Sequence, residues 1–261
     1  MKLLTFFLAG FLLGNISIAG TAGVSGYRRF VAPDAVQSDL KGKVRVIRER
    51  TSELKDGIEE PTSSSESTYD ADGYLVDGRD TNLTDGKTET TTRFYDAEGN
   101  LVAQEETSGS RTVKKTVRLL PERNRVVWEV ESGDRKTIVA ETTFDRFGKE
   151  GEIREFDEKG ELTGIYRTKR DTKGLETEVI FGDALGKPET IVTVTGDERV
   201  FAASDEHDDR VEKVVVKTTY EYPEVDGQGN WTRQVATKKF FEKGREKFTA
   251  RDVTTRTIEY Y

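Results

Sequence analysis

Apolar and polar residues alternate along this chain with a period of two. Val126, Trp128 and Val130 fall on one face, opposite Arg125, Val127, Glu129 and Glu131. Val214, Val216, Thr218, Tyr220 and Tyr222 share a face, opposite Lys213, Val215, Lys217, Thr219 and Glu221, and Ile138, Ala140, Thr142 and Phe144 repeat the pattern. Successive side chains of a β-strand point to opposite faces, so this period predicts strands rather than helices. Thr, abundant in these stretches, favours the same state. After residue 40 no segment has a convincing helical period.

Turn signals punctuate the strands. They fall near residues 57, 72, 86, 98, 109, 123, 133, 147, 159, 173, 185, 196, 207, 227 and 243, mostly about 10–15 residues apart. That spacing fits roughly eight residues of strand and a tight turn, repeated as an up-and-down meander. Many turns share one unit, an aromatic residue followed by Asp-x-x-Gly. It occurs as Tyr69-Asp70-Ala71-Asp72-Gly73, Tyr95-Asp96-Ala97-Glu98-Gly99, Phe144-Asp145-Arg146-Phe147-Gly148 and Phe156-Asp157-Glu158-Lys159-Gly160. Looser copies run over 181–186 and 222–232. Asp can bond its own backbone two residues on, and Gly supplies the positive φ of a tight turn. Cross-strand neighbours sit about 5 Å apart, so the aromatics are expected to stack as a ladder along one rim. The expected fold is all-β: a repetitive antiparallel up-and-down meander of about 14–16 strands forming one extended, curled sheet.

The remaining segments set boundaries. Residues 1–22 have the form of a signal peptide: Met1-Lys2, an apolar run over Leu3–Leu13 too short to span a bilayer, then small residues offering a cut after Ala19 or Ala22. No Cys follows the run, which excludes a lipidated anchor. Residues 23–42 lack a clear period and read as an N-terminal arm. Residues 43–261 read as one β domain, with a polar loop over 60–67.

The unit carries a family likeness. Tyr95-Asp96-Ala97-Glu98-Gly99-Asn100-Leu101-Val102 resembles the YD-repeat consensus of the RHS class. The Gly-Asn-Trp-Thr-Arg at 229–233 and the terminal Arg-x-Ile-x-Tyr-Tyr at 256–261 resemble small secreted bacterial YD-repeat proteins. The likeness covers roughly 44–261; near 123, Pro-Glu-Arg-Asn replaces the Asp-x-x-Gly turn. It implies an extended antiparallel sheet, which winds into a closed shell in large RHS and teneurin-like proteins. It also implies carbohydrate or cell-surface binding, without a fixed binding motif.

Composition narrows the function. With no Cys there is neither a disulfide scaffold nor a thiolate metal site. A net charge of -8 argues against nucleic acid and anionic membrane surfaces. Hydrophobic residues make up only 34% of the chain, low for a two-layer core. The single His207 lies in Asp205-Glu206-His207-Asp208-Asp209, which reads as an acidic exposed turn before it reads as a cation site. The loops at Asp70–Gly73 and Asp226–Asn230 lack the full spacing of a calcium loop. With 49 Asp plus Glu residues, no carboxylate pair stands out as a catalytic dyad. No catalytic residues, metal site or cofactor are expected. Trp128, Tyr166 and Trp231 are the candidates for a stacking surface, against the alternative that they fill the core.

These features predict an exported, non-catalytic binding or structural module of the bacterial cell envelope, secreted or periplasmic. It would meet carbohydrate or protein through its sheet face or edge, without nucleic acid and without spanning the membrane. Two alternatives stand beside it. One is an outer-membrane β-barrel, which needs a lipid-facing apolar band at every second position. The other is an enzyme acting on envelope polymers at an unidentified site.

Overall fold

The computed structural model describes residues 31–38, 40–132, 135–196 and 201–261. The leader at 1–22, the arm residues before 31 and the turn signals at 133–134 and 197 lie outside them. The described part of the arm holds one short helix, α1 (Asp34–Gln37). Sixteen strands follow. They are β1 (Val44–Lys55), β2 (Ile58–Tyr69), β3 (Leu75–Asn82), β4 (Thr88–Tyr95), β5 (Leu101–Ser108), β6 (Arg111–Leu120), β7 (Arg125–Ser132) and β8 (Arg135–Phe144). Then come β9 (Glu150–Phe156), β10 (Leu162–Arg170), β11 (Glu176–Asp183), β12 (Pro188–Gly196), β13 (Ala202–Asp209), β14 (Val214–Val225), β15 (Trp231–Glu242) and β16 (Arg245–Tyr260).

Each strand pairs antiparallel with its neighbours in sequence, as the even turn spacing predicts. The expected open, curled sheet is corrected by one further pairing. β1 pairs antiparallel with β16, from Val44 opposite Tyr260 to Glu53 opposite Asp252, so the sheet closes into a barrel. Closure satisfies the ladder groups that two free edges would leave unpaired.

The Asp-x-x-Gly turns share one geometry. At Asp96, the backbone N–H bonds the Asn100 carbonyl at 2.9 Å, and the Gly99 N–H bonds the Asp96 carbonyl at 3.0 Å. The Asp96 carboxylate accepts the Glu98 N–H at 3.0 Å and the Asn100 N–H at 2.8 Å. The same pattern recurs at Asp70, Asp145, Asp157, Asp171, Asp183 and Asp226. The last three lack a preceding aromatic, so Asp-x-x-Gly is the constant part of the unit. At 121–124 a short 3₁₀ turn over Pro121–Arg123 takes its place, and Asn124 supplies the left-handed residue at φ 49°.

The aromatic ladder is also corrected. Tyr69, Tyr95 and Phe144 end β2, β4 and β8 at the arm end of the barrel, whereas Phe156 ends β9 at the opposite end. Tyr69 packs with Ala35, Leu40, Val44 and Ile47, while Phe144 and Tyr95 pack around Val31, Tyr74, Leu101 and Val126. The rings converge on the arm rather than on one another.

Two polar stretches expected outside the strands lie within them. Residues 60–67 belong to β2, with Pro61 at a register shift opposite Ser52. The acidic Asp205–Asp209 belongs to β13, and its turn follows at 210–213. In a single-layer wall wetted on both faces, a strand needs no apolar face.

The turn geometry yields a stability test. Gly99 sits at φ 78°, in the left-handed region that a β-branched residue enters at a cost of roughly 1–3 kcal/mol. Gly99→Val is expected to lower stability by about that amount in thermal or urea melts, and Gly99→Ala by less.

Candidate functional site

Residues directly opposite each other across a ladder share a face, so the register sorts the wall into two surfaces. The arm identifies the inner one. Asp34 pairs with Arg93 of β4, Val31 packs beside Val126 of β7 and Phe144 of β8, and Leu40 packs beside Ile47 of β1. A segment this short meets strands so far apart only by crossing the inside of the ring.

The arm closes one end of that inside. Ala32 N–H bonds the Gly148 carbonyl at 2.7 Å, and Ala35 N–H bonds the Gly73 carbonyl at 2.9 Å. The Tyr74 hydroxyl donates to the Val31 carbonyl at 3.1 Å. Asn230 grips Lys41 from both sides: its Oδ1 accepts the Lys41 N–H at 2.7 Å, and its Nδ2 donates to the Lys41 carbonyl at 2.9 Å. At Gly73 a Cβ would meet Pro33 and Ala35 at 3.2 and 3.3 Å, so glycine serves both the turn and the close approach of the arm.

Charges sit beneath the arm. Asp34 accepts the Leu75 N–H at 2.9 Å as well as Arg93 at 2.5 Å. Arg170, almost fully buried, binds Asp145 at 2.8 Å and Glu176 at 2.6 Å. Glu150 is enclosed among Asp34, Arg93, Arg170 and Glu176. Burial drives its carboxyl above the usual range against the pull of Arg93, with Asp34 raising it further and Arg170 lowering it. A circular ring of sixteen strands would be on the order of 30 Å across. Arg93 of β4 and its partner Asp34 of the arm reach across this inside towards Glu150 of β9.

A second buried group lies where β16 meets β1. The Arg256 guanidinium lies 3.4 Å above the Trp231 ring and bonds Glu49 at 2.5 Å. Burial pulls its pKa down, and Glu49 opposes the shift. Beside it, burial and the Asp205 carboxylate raise the Tyr220 phenol.

The three predicted stacking residues are not brought together. Trp231 is buried beneath Arg256 and packs with Phe201 and Tyr222. Trp128 packs on the Val31 cluster and donates its indole N–H to Thr142 at 3.3 Å. Tyr166 lies half-buried on the inner wall, away from the arm. Its ring meets Phe181 edge-on at 5.3 Å, and its hydroxyl donates to Glu155 at 2.7 Å. Burial and this bond raise its pKa to about 12. Phe181, 36% exposed, is the partner that sequence reading did not single out. His207 sits opposite Val192 and Val216 on the same wall, and no metal-ligating cluster occurs among the described residues.

The outer wall carries ion pairs across its ladders. Arg48 bonds Glu66 and Glu259, each at 2.5 Å. Lys114 pairs with Glu105, Arg118 with Glu129, Arg167 with Glu152, Lys169 with Glu178 and Lys217 with Glu206. These ladders of opposite charge suit water.

No family model and no curated protein matches the chain. Among solved structures it is similar to a porin-like protein from Bacteroides uniformis, at 13% identity and a TM-score of 0.40, covering 84% of this chain and 99% of that one. A TcdB2-TccC3-Cdc42 structure gives 15% identity and a TM-score of 0.32, covering 77% of this chain and 11% of that one. A TcdB2-TccC3 structure gives 12% and 0.27, covering 73% and 14%. Likeness at this level does not establish a shared fold.

The raised Glu150 carboxyl predicts a pH dependence. Because the folded pKa of Glu150 is raised, its contribution to stability is complete below the ordinary carboxyl value of 4.5 and is lost as pH rises through the folded value. Glu150→Gln is therefore expected to be more stable than the parent chain at pH 8. The gap should shrink towards pH 4 in melts across that range.

Proposed function

We propose that the chain is an exported, non-catalytic binding module of the cell envelope whose binding surface is the inside of the barrel. The observation that carries this reading is the closed ring, stopped at one end by the arm, with the Tyr166–Phe181 pair facing its inside. The outer wall is laced with ion pairs. The inner wall mixes ion pairs, Lys115 with Glu106 and Lys238 with Asp252, with accessible aromatic groups, Tyr166 against Phe181 and Phe240 stacked on Phe248. The arm stops one end, and among the described residues no segment crosses the other. A walled chamber of this kind suits a ligand with a flat apolar face, from envelope carbohydrate or protein. Closure removes the free edges, so a partner strand added to an edge drops out of the reading. The Asp-x-x-Gly turns fit a YD-repeat-like chain whose shared property is shape, and the leader-like start fits export.

An outer-membrane barrel is the second reading. An even number of antiparallel strands with the first and last paired favours it. Against it stands the outer wall, where Arg or Lys at the bilayer midplane costs about 2–4 kcal/mol each.

Fractionation separates the two. The mature chain is expected in the soluble envelope fraction and monodisperse without detergent. Recovery only from membranes with detergent would establish the second reading. Tyr166→Ala is expected to abolish capture of envelope glycans or peptides on arrays while thermal stability changes little. Unchanged capture would move the binding surface elsewhere.

A further inference from the structure

We propose that the turn over 226–231 and the last six residues form a lock that holds the barrel shut, so that the β1–β16 seam is where the wall can open while the rest of the meander stays folded.

The seam differs from every other junction in how it is connected. Each other strand pair is joined through a turn of a few residues, so its partner is always at hand. β1 and β16 have almost the whole chain between them. Contacts that bridge that gap are concentrated there. Arg256 of β16 bonds Glu49 of β1 from its place over Trp231. Tyr260 donates to Asp226, and Asn230 Nδ2 donates to the Tyr260 hydroxyl at 2.7 Å. Since Asn230 also holds Lys41 on both sides, one residue ties the end of β16, the β14–β15 turn and the arm leading into β1. Tyr261 completes the closure: its N–H bonds the Lys43 carbonyl at 3.0 Å, and its hydroxyl donates to the Tyr69 carbonyl at 2.6 Å. The residues at 229–233 and 256–261 therefore act on each other and on the first two strands. Opening here breaks no hairpin.

The chain has no Cys, so introduced pairs report without background. Thr51 and Thr254 face each other across the seam with their hydroxyls 3.1 Å apart. Thr81 and Thr88 stand in the same relation, also at 3.1 Å, within the β3–β4 hairpin. Thr51→Cys/Thr254→Cys and Thr81→Cys/Thr88→Cys chains are compared for the rate of intramolecular disulfide formation, with and without Arg256→Ala. Tyr260→Phe serves as a milder second variant that keeps the ring. Both pairs are expected to close readily in the parent in water, and the variants are compared in urea at the concentration that halves the parent's seam rate, where open and closed seams are about equally populated. Losing one charge-assisted bond lowers the closing equilibrium about tenfold, so either lock variant should slow the seam pair about fivefold there, while the hairpin pair is unchanged. Equal slowing of both pairs would show that seam and meander open as one unit, and no slowing of either would show that the ladder alone holds the seam. Both results overturn the proposal.

Discussion

The structure depends on the pairing of its first strand with its last. A single antiparallel layer has no second layer to cover it, and it ends in two edges whose N–H and C=O groups need partners. β1 and β16 supply those partners to each other. Bringing together ends some 200 residues apart costs chain entropy that grows with the logarithm of loop length, only about 0.6 kcal/mol for each doubling. A few long-range bonds of ordinary strength therefore suffice. Arg256 with Glu49, and Asn230 with Lys41 and Tyr260, are bonds of that kind.

Closure then assigns work to each surface. An inside and an outside exist only once the ring is shut. Both surfaces carry paired charges, Arg48 with Glu66 and Glu259 outside and Lys238 with Asp252 inside, and the inside also gathers rings around the arm. Val31, Ala35 and Leu40 draw Tyr69, Tyr74, Leu101, Val126 and Phe144 into the two clusters nearest a core. Asp34 enters with them because Arg93 and the Leu75 N–H meet it there. What remains for a ligand lies beyond the arm, on the wall that carries Tyr166 and Phe181.

Local chemistry was legible in the sequence and long-range pairing was not. Asp96 and Gly99 make a turn within five residues, so the meander and its strand number follow from spacing alone. Closure needs Val44 beside Tyr260, which no local pattern records. The polar stretches 60–67 and 205–209 look like loops when every strand is expected to bury a face, an expectation that fails in a wall wetted on both sides. Trp231 looks free to bind until Arg256, distant in sequence, lies over its ring. Phe181 reads in the sequence only as the aromatic of a loose turn copy, because the register that joins it to Tyr166 is set by the β10–β11 turn. The terminal Arg-x-Ile-x-Tyr-Tyr stood out as a likeness, and its physical role appears only at the seam.

The closed ring is tested most directly by residue-resolved amide hydrogen exchange along β1 and β16. In a barrel each of these strands bonds a neighbour on both sides, so successive amides of both strands should be protected, those bonded across the seam less than those of β7 and β8 because the seam opens first. In an open sheet every second amide of β1 and of β16 would face water and exchange rapidly. That alternating pattern would contradict the account.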